Sequence, residues 1–243
     1  ILEDELTRCP PHITVVRAHS EKNVGLIANF NGGMAACTGE IIIPMSGDDI
    51  SLSFRVSNLM KEFSDHPDCM LICYNWQCID ENDNFIQGSC KKTKKFVFSY
   101  QGKIKNIYAG SPVCGAAAAY RATLRDLFGA MQPYYQGEDN CYWVRALLMG
   151  KIHYLPRVLV YWRVHRTNLS NALRAEDNEQ ARRKHLKFLR VSRYCSYQWA
   201  RDIGLAVRKS LITPDLALRL SKIIQLDNEL ARIRRYSLIV TPW

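Results

Sequence analysis

The sequence predicts an α/β domain followed by a basic, helical C-terminal region. Three observations carry this reading. Short apolar, β-branched runs alternate with helix-periodic segments from Ile13 to about Arg163. From about Ala172 the strand pattern stops and helical periodicity continues to the end. Charge divides in the same place: residues 1–170 carry a net +2 and residues 171–243 carry +8 of the total +10. A chain of 243 residues is long enough to bury a sizeable core as one large domain with an appendage. The boundary is placed between 170 and 171.

Taken in order, residues 1–8 read as the end of a helix, stopped by Cys9-Pro10-Pro11. Ile13 to Val16 is β-branched and predicts a strand. Asn23 is positioned to cap a helix over roughly 24–36, with Leu26, Ile27, Phe30 and Met34 near one face. Gly32-Gly33 either weakens that helix or lets it approach a neighbour closely. Glu40 to Met45 predicts a short buried strand of the parallel kind. Ser46-Gly47-Asp48-Asp49 follows it directly, and Ser51 or Ser53 is placed to cap a helix running to about Phe63. Cys69 to Ile79 predicts a strand, Asp80 to Asn84 a turn, and Phe85-Ile86 the start of a return strand. Lys91 to Lys95 falls in a loop. Val113 to Tyr120 reads as a small-residue strand, and Arg121 to Phe128 as a short helix closed by Gly129. Gly137-Glu138-Asp139 opens a helix to about Met149, with Gly150 after its end. Ile152–Tyr154 and Val158–Arg163 read as strands. Pro214 suits the first turn of the last helix, whose apolar stripe is Leu216, Leu220, Ile223 and Leu230.

Composition narrows the function classes. The chain is 47% hydrophobic and 23% charged, the balance of a globular protein. Its apolar runs are too short to predict a membrane-spanning helix. Nine cysteines are present, an odd number with no Cys-x-x-Cys spacing. They are expected to be free, mostly buried thiols of a cytoplasmic protein. The pI near 9.2 comes without an aromatic-basic RNA motif or helix-turn-helix spacing, so nucleic-acid binding is not expected.

Three groups of residues are placed to do chemistry. Asp48-Asp49 follows a predicted buried strand, and open α/β sheets bind ligands at the carboxyl ends of their strands. Two adjacent carboxylates there are costly unless a cation or hydrogen bonds compensate them. The bland alternative is a helix start, where Asp is common. Glu138-Asp139 opens a predicted helix, where a carboxylate either serves as general base or merely complements the helix dipole. Arg163-Val164-His165 ends a predicted strand, with Arg163 and His165 on one side of it and Asn168 and Ser170 beyond. A guanidinium holds phosphate and an imidazole completes a metal site.

These groups occur together in two longer blocks. "NVGLIANFNGGMAACTGEIIIPMSGDDISLSFRV" and "GEDNCYWVRALLMGKIHYLPRVLVYWRVHRTNLS" resemble the family 2 glycosyltransferases. In that family an N-x-G helix precedes a G-E-strand that delivers an acidic motif. Later an E-D pair opens a helix before L-P and L-V-x-Y-R-x-H segments. The resemblance covers residues 1 to about 170. It implies the GT-A fold (that of the nucleotide-diphospho-sugar transferases) with a mixed sheet. It also implies a nucleotide-sugar donor, an acceptor hydroxyl on a saccharide or lipid-linked molecule, and Mn²⁺ or Mg²⁺.

Carried over by position, Asp48 matches the last Asp of D-x-D and Asp49 the acid after it. Ser46 stands where the pattern has its first Asp. Asp139 matches the catalytic base beside Glu138, and Arg163 and His165 match donor-diphosphate positions, with Asp48 and His165 holding metal. Arg121 and Arg125 either fall at a substrate wall, as the resemblance implies, or are helix-surface arginines, and Trp143 is either a sugar platform or core. Family members begin with a strand–helix–strand that has no counterpart here. The sheet is therefore expected to be N-terminally incomplete, within a longer reading frame, and the isolated chain inactive. The basic tail is expected either to pack on the core or to touch the inner face of a membrane.

Overall fold

The structure is a computed structural model, and it describes residues 8–18, 20–87, 94–99, 113–135, 137–165, 168 and 194–240. One mixed sheet organises it. The strands are β1 (Ile41–Ile42), β2 (Ile50–Ser51), β3 (Cys69–Ile79), β4 (Phe96–Phe98), β5 (Ala118–Arg121) and β6 (Lys151–Arg163). Their order is β1-β5-β3-β6-β2, with β4 also paired to β6. The helices are α1 (Leu26–Ala36), α2 (Arg55–Asp65), α3 (Thr123–Phe128), α4 (Glu138–Met149), α5 (194–208) and α6 (Pro214–Val240).

The centre of the sheet is the parallel pair β3–β6, in register from Cys69↔Lys151 to Ile79↔Arg163. Leu71, Ile72, Cys73, Tyr74, Ile152, Tyr154, Leu159 and Val160 are all buried there, because helices cover both faces. One face packs against α1, α3 and α4 with residues of α5 and α6, including Ile27, Met34, Trp143, Leu147, Ile203 and Leu220. The other face packs on Leu59 and Phe63 of α2.

Several elements differ from the sequence expectation. Ile13–Val16 forms no strand. Ile13, Val15 and Val16 are exposed, and no strand among the described residues offers them a ladder. The Glu40–Met45 strand shrinks to β1, which runs antiparallel to β5 through Ile41↔Arg121 and Ile42↔Tyr120 rather than parallel. Among the described residues β1 has no second neighbour. β2 was not anticipated: Ile50 pairs with Tyr161 of β6. It uses Ser51 in a ladder, so α2 starts later, at Arg55, without a side-chain cap. Residues Gly115–Ala117 form a 3₁₀ turn before β5 rather than strand. The two predicted strands at 152–163 are one, because β6 absorbs Pro156 in a bulge: Tyr74 pairs Leu155, yet Asn75 pairs Val158.

Glycine roles also shift. Gly32 and Gly33 face open space rather than a close neighbour. Gly150 ends α4 with extended φ, not left-handed. A Cβ on it would lie 2.5 Å from the Asp68 carbonyl, so close backbone approach is what favours glycine there. Asn23 does not cap by the usual route. Its side chain accepts the Gly25 N–H at 2.9 Å, one step before α1.

The Cys69–Ile79 strand, the Asp80–Asn84 turn, the α3 and α4 helices and Pro214 at the start of α6 are as expected. The return of Phe85-Ile86 is present as an Ile79↔Phe85 bridge. Eight cysteines are free thiols and none of the described cysteines is bonded to another. The predicted helix over 1–8 and residues 91–93 of the lysine cluster lie outside the described residues. In α6, Leu220 and Ile224 are buried and Ile223 partly so, so the first half of its stripe packs on the core. No described helix is long and apolar enough to cross a membrane.

Candidate active site

The acidic loop between β1 and β2 and the end of β6 are stitched together. His165 Nε2 lies 2.9 Å from Asp48 Oδ2. The Asn168 amide reaches the same oxygen at 3.5 Å and donates to the Arg163 carbonyl at 3.0 Å. Asp49 Oδ1 accepts the Arg163 backbone N–H at 2.9 Å. These contacts bring together residues 114 to 120 positions apart, because the antiparallel pairing sets the start of β2 alongside the end of β6.

Arg163 holds the loop with its side chain as well. Its guanidinium donates to the Asp48 carbonyl at 2.8 Å, the Asp80 carbonyl at 2.8 Å and the Asp83 carboxylate at 2.5 Å. It thus braces two loops and presents few free donors. Asp80 in turn closes the 80–84 turn by accepting N–H bonds from Asn82 and Asn84. These bonds, led by the Asn84 N–H, hold its carboxyl below the ordinary Asp range. Asp83 adopts φ 67, a left-handed turn position that Asp tolerates.

Asp49 is the electrostatically unusual member. Burial raises its carboxyl above the ordinary Asp value, and the neighbouring Asp48 charge adds to that. The Arg163 N–H, the Ser46 side chain and the Arg55 charge oppose the rise. Its Oδ2 is buried with no hydrogen-bond partner among the described residues, a costly state for a carboxylate oxygen. Arg55 was not singled out in the sequence. It is buried, donating to Tyr74 Oη at 2.8 Å and to the Pro44 carbonyl at 2.7 Å. It fixes the chain just before Ser46. The available signal was a lone Arg among Phe54, Val56 and Leu59 on an otherwise amphipathic helix.

The second acidic pair opens α4. Gly137, at φ 90, turns the chain into the helix, a conformation that favours glycine. Glu138 and Asp139 are half-buried. Burial raises the Glu138 carboxyl to about 7, with help from the Asp139 charge. Burial also raises Asp139, against the N–H groups of Asn140 and its own backbone. Glu138 packs against Gly115 so closely that a Cβ there would collide with its Oε1. The two acidic pairs face a common neighbour. Burial pushes the Cys114 thiol up to about 12, and the charges of both Asp139 and Asp49 act on it in the same sense. Cys114 directly precedes the 3₁₀ turn and packs, partly buried, on the α2 side of the sheet.

The remaining expected residues go elsewhere. Arg121 donates to the Cys69 and Phe63 carbonyls at 2.7 and 2.8 Å, at the far end of β3. Arg125 donates to the Met34 and Cys37 carbonyls, capping the C-terminus of α1. Trp143 is buried and packs edge-on against Phe98, so it is core. Lys95 pairs with Glu62.

The donor set suits a divalent ion. Asp48 offers carboxylate oxygen, His165 offers imidazole nitrogen, and Asp49 keeps an unpartnered buried oxygen beside them. The Asp48 carboxylate, with phosphate oxygens, is the hard donor that Mn²⁺ or Mg²⁺ takes, and the His165 imidazole is a softer donor beside it.

The profile of glycosyl transferase family 2 matches residues 4–128, so the chain belongs to that family, and its mixed α/β sheet is of the GT-A type. It is 24% identical over 229 residues to an uncharacterized glycosyltransferase of Nostoc sp., covering 92% of this chain and 70% of that protein. Among solved structures it is similar to S. aureus TarS, with a TM-score of 0.46 and 15% identity over 89% of this chain. A 1–349 form of TarS gives 0.44 and 16% over 90%. The chain spans 43% of the longer TarS structure.

Proposed function

We propose that the protein transfers a sugar from a nucleotide-sugar to an acceptor hydroxyl with inversion, in polysaccharide or glycoconjugate synthesis. The family supplies glycosyl transfer. The finer reading rests above all on the pairing of Asp48 with His165 at 2.9 Å, taken together with the half-buried Glu138–Asp139 pair that opens α4. In this reading Asp139 takes the proton of the attacking hydroxyl. Its burial keeps the carboxylate basic enough for the task. Glu138 shapes the pocket wall against Gly115. Asp48 and His165 would hold a divalent ion, whose charge would offset that of the leaving nucleoside diphosphate. Arg163 and Asn168 keep those two side chains in register, and Asp49 anchors the loop to β6.

Release of nucleoside diphosphate from a panel of nucleotide-sugars, with and without Mn²⁺ or Mg²⁺, tests this in the full-length protein. Asp139→Asn is expected to lower kcat by about a hundredfold or more. Full activity in that variant would remove Asp139 from the role. A second reading is a non-catalytic nucleotide-sugar binder. It is favoured by Ser46, which replaces the first acid of the motif and lies against Asp49. Calorimetric binding of donor without turnover would select it. Because β1 has an open edge among the described residues, residues 1–243 alone are proposed to be inactive, and the same assay on that chain decides. The +8 charge of residues 171–243 supports a peripheral position at the cytoplasmic face of a membrane, near lipid-linked acceptors.

A further inference from the structure

At the opposite end of β6 from the acidic loop lies a second group of metal-ligating side chains. Glu62 and His66 sit one turn apart at the end of α2, and His153 projects from the third position of β6. Their ligand atoms all lie within 4.8 Å of one another. We propose that Glu62, His66 and His153 form a zinc(II) site that ties the last turn of α2 to β6.

Geometry is the first support. Glu62 Oε1 is 2.6 Å from His153 Nδ1 and 3.6 Å from His66 Nε2. The two imidazole rings are 4.5 Å apart and tilted by 56°. Tetrahedral zinc with bonds of about 2.0–2.1 Å places its ligands about 3.3 Å apart. The 3.6 Å separation already matches, and the 2.6 Å hydrogen bond opens by well under 1 Å when an ion replaces its proton. Spacing explains why α2 supplies two ligands: residues four apart share a helix face.

Hydrogen-bond capacity is the second support. A carboxylate oxygen offers about two lone-pair sites. Glu62 Oε1 faces three nitrogens: His153, His66 and the Lys95 ammonium at 2.7 Å. One is surplus, and His66 is the one left beyond hydrogen-bond distance. The Lys95 ammonium also reaches Oε2 at 2.8 Å, so a cation already sits on this carboxylate. Lys95 is about half exposed and free to swing out when a divalent ion takes its place. Glu62 and His153 are buried, while His66 is 40% exposed. That leaves an entry path and a fourth position for water.

Chemistry selects the ion. Two imidazoles and one carboxylate suit zinc, whereas Mg²⁺ and Mn²⁺ favour all-oxygen sets. The site is therefore distinct in place and preference from the Asp48–His165 pair.

The test is zinc titration of the chelator-stripped full-length protein by calorimetry and thermal melting. One equivalent should bind, and the melting temperature should rise by about 5 °C or more at a hundredfold excess over Kd. Both effects should persist in the Asp48→Asn, His165→Gln double variant. His66→Ala should weaken binding at least tenfold and abolish most of the thermal shift. Its metal-free melting temperature should stay close to wild type, because the His66 ring lies 3.6 Å from the Glu62 carboxylate, beyond hydrogen-bond distance, and the His66 backbone N–H bond to the Glu62 carbonyl survives the substitution. Cobalt substitution should give visible bands of four-coordinate N/O ligation. No stoichiometric binding, binding unaffected by His66→Ala, or cobalt bands of thiolate ligation would each overturn the proposal.

Discussion

Replacing Asp202 by Ala should cost about 3–5 kcal/mol of stability, because it strands a buried cation. Arg145 lies in the middle of α4 and Asp202 in α5, and both side chains are fully buried. The Arg145 Nε donates to Asp202 Oδ2 at 2.7 Å, with a second contact to Oδ1 at 3.5 Å. Gln198 donates to the same carboxylate at 2.9 Å. With the carboxylate gone, the guanidinium keeps only the Gly129 carbonyl at 2.9 Å and the faces of Phe128 and Tyr142. Those contacts do not neutralise it. The double variant Arg145→Met, Asp202→Leu removes both charges with roughly conserved volume. It should recover most of the loss, since well-packed apolar pairs often match buried ion pairs. Urea denaturation of wild type, single and double variants measures this. A single variant losing less than about 1 kcal/mol, or a double variant losing as much as the single, would refute the reasoning.

Two further outcomes follow from the α4 carboxylates. Glu138 has its carboxyl raised from 4.5 to about 7, so the folded state holds a proton that the unfolded state has released between those values. Stability should therefore fall as pH rises from about 4.5 to 7 and stay level above. Glu138→Gln should flatten that fall, gaining about 1–2 kcal/mol at pH 8 after discount for partial exposure, as read by melting across pH. Gly115→Ala should force the Glu138 side chain aside, lowering transferase turnover about tenfold or more while the protein still melts cooperatively.

Where the candidate site residues sit on the fold was legible in the sequence, because local rules place such element ends. An acid pair after a strand, a Gly-Glu-Asp helix start and an Arg-x-His strand end need no knowledge of distant partners. So was β3, whose apolar run is long and closed by an Asx-rich turn. What stayed hidden depended on pairing across the chain. β2 exists because Ile50 meets Tyr161, and nothing within residues 46–53 announces that. Likewise the direction of β1 is set by β5, some eighty residues later. Arg121 and Arg125 looked like substrate contacts, yet each spends its donors on carbonyls that the fold leaves uncapped. The Glu62, His66 and His153 group went unread, because His153 joins the helix pair only through the α2–sheet packing.

β6 also works as a spacer. His153 and Arg163 are ten positions apart on it, about 30 Å at the usual strand rise. Screening at physiological salt acts over about 8 Å. A charge bound at one end of the strand is therefore electrostatically screened from the other. Substitutions at the two ends should then combine without coupling, their free energies adding to within about 0.5 kcal/mol. In the two proposals a single strand carries a metal tie at one end and the donor-binding residues at the other, with neither constraining the other's chemistry.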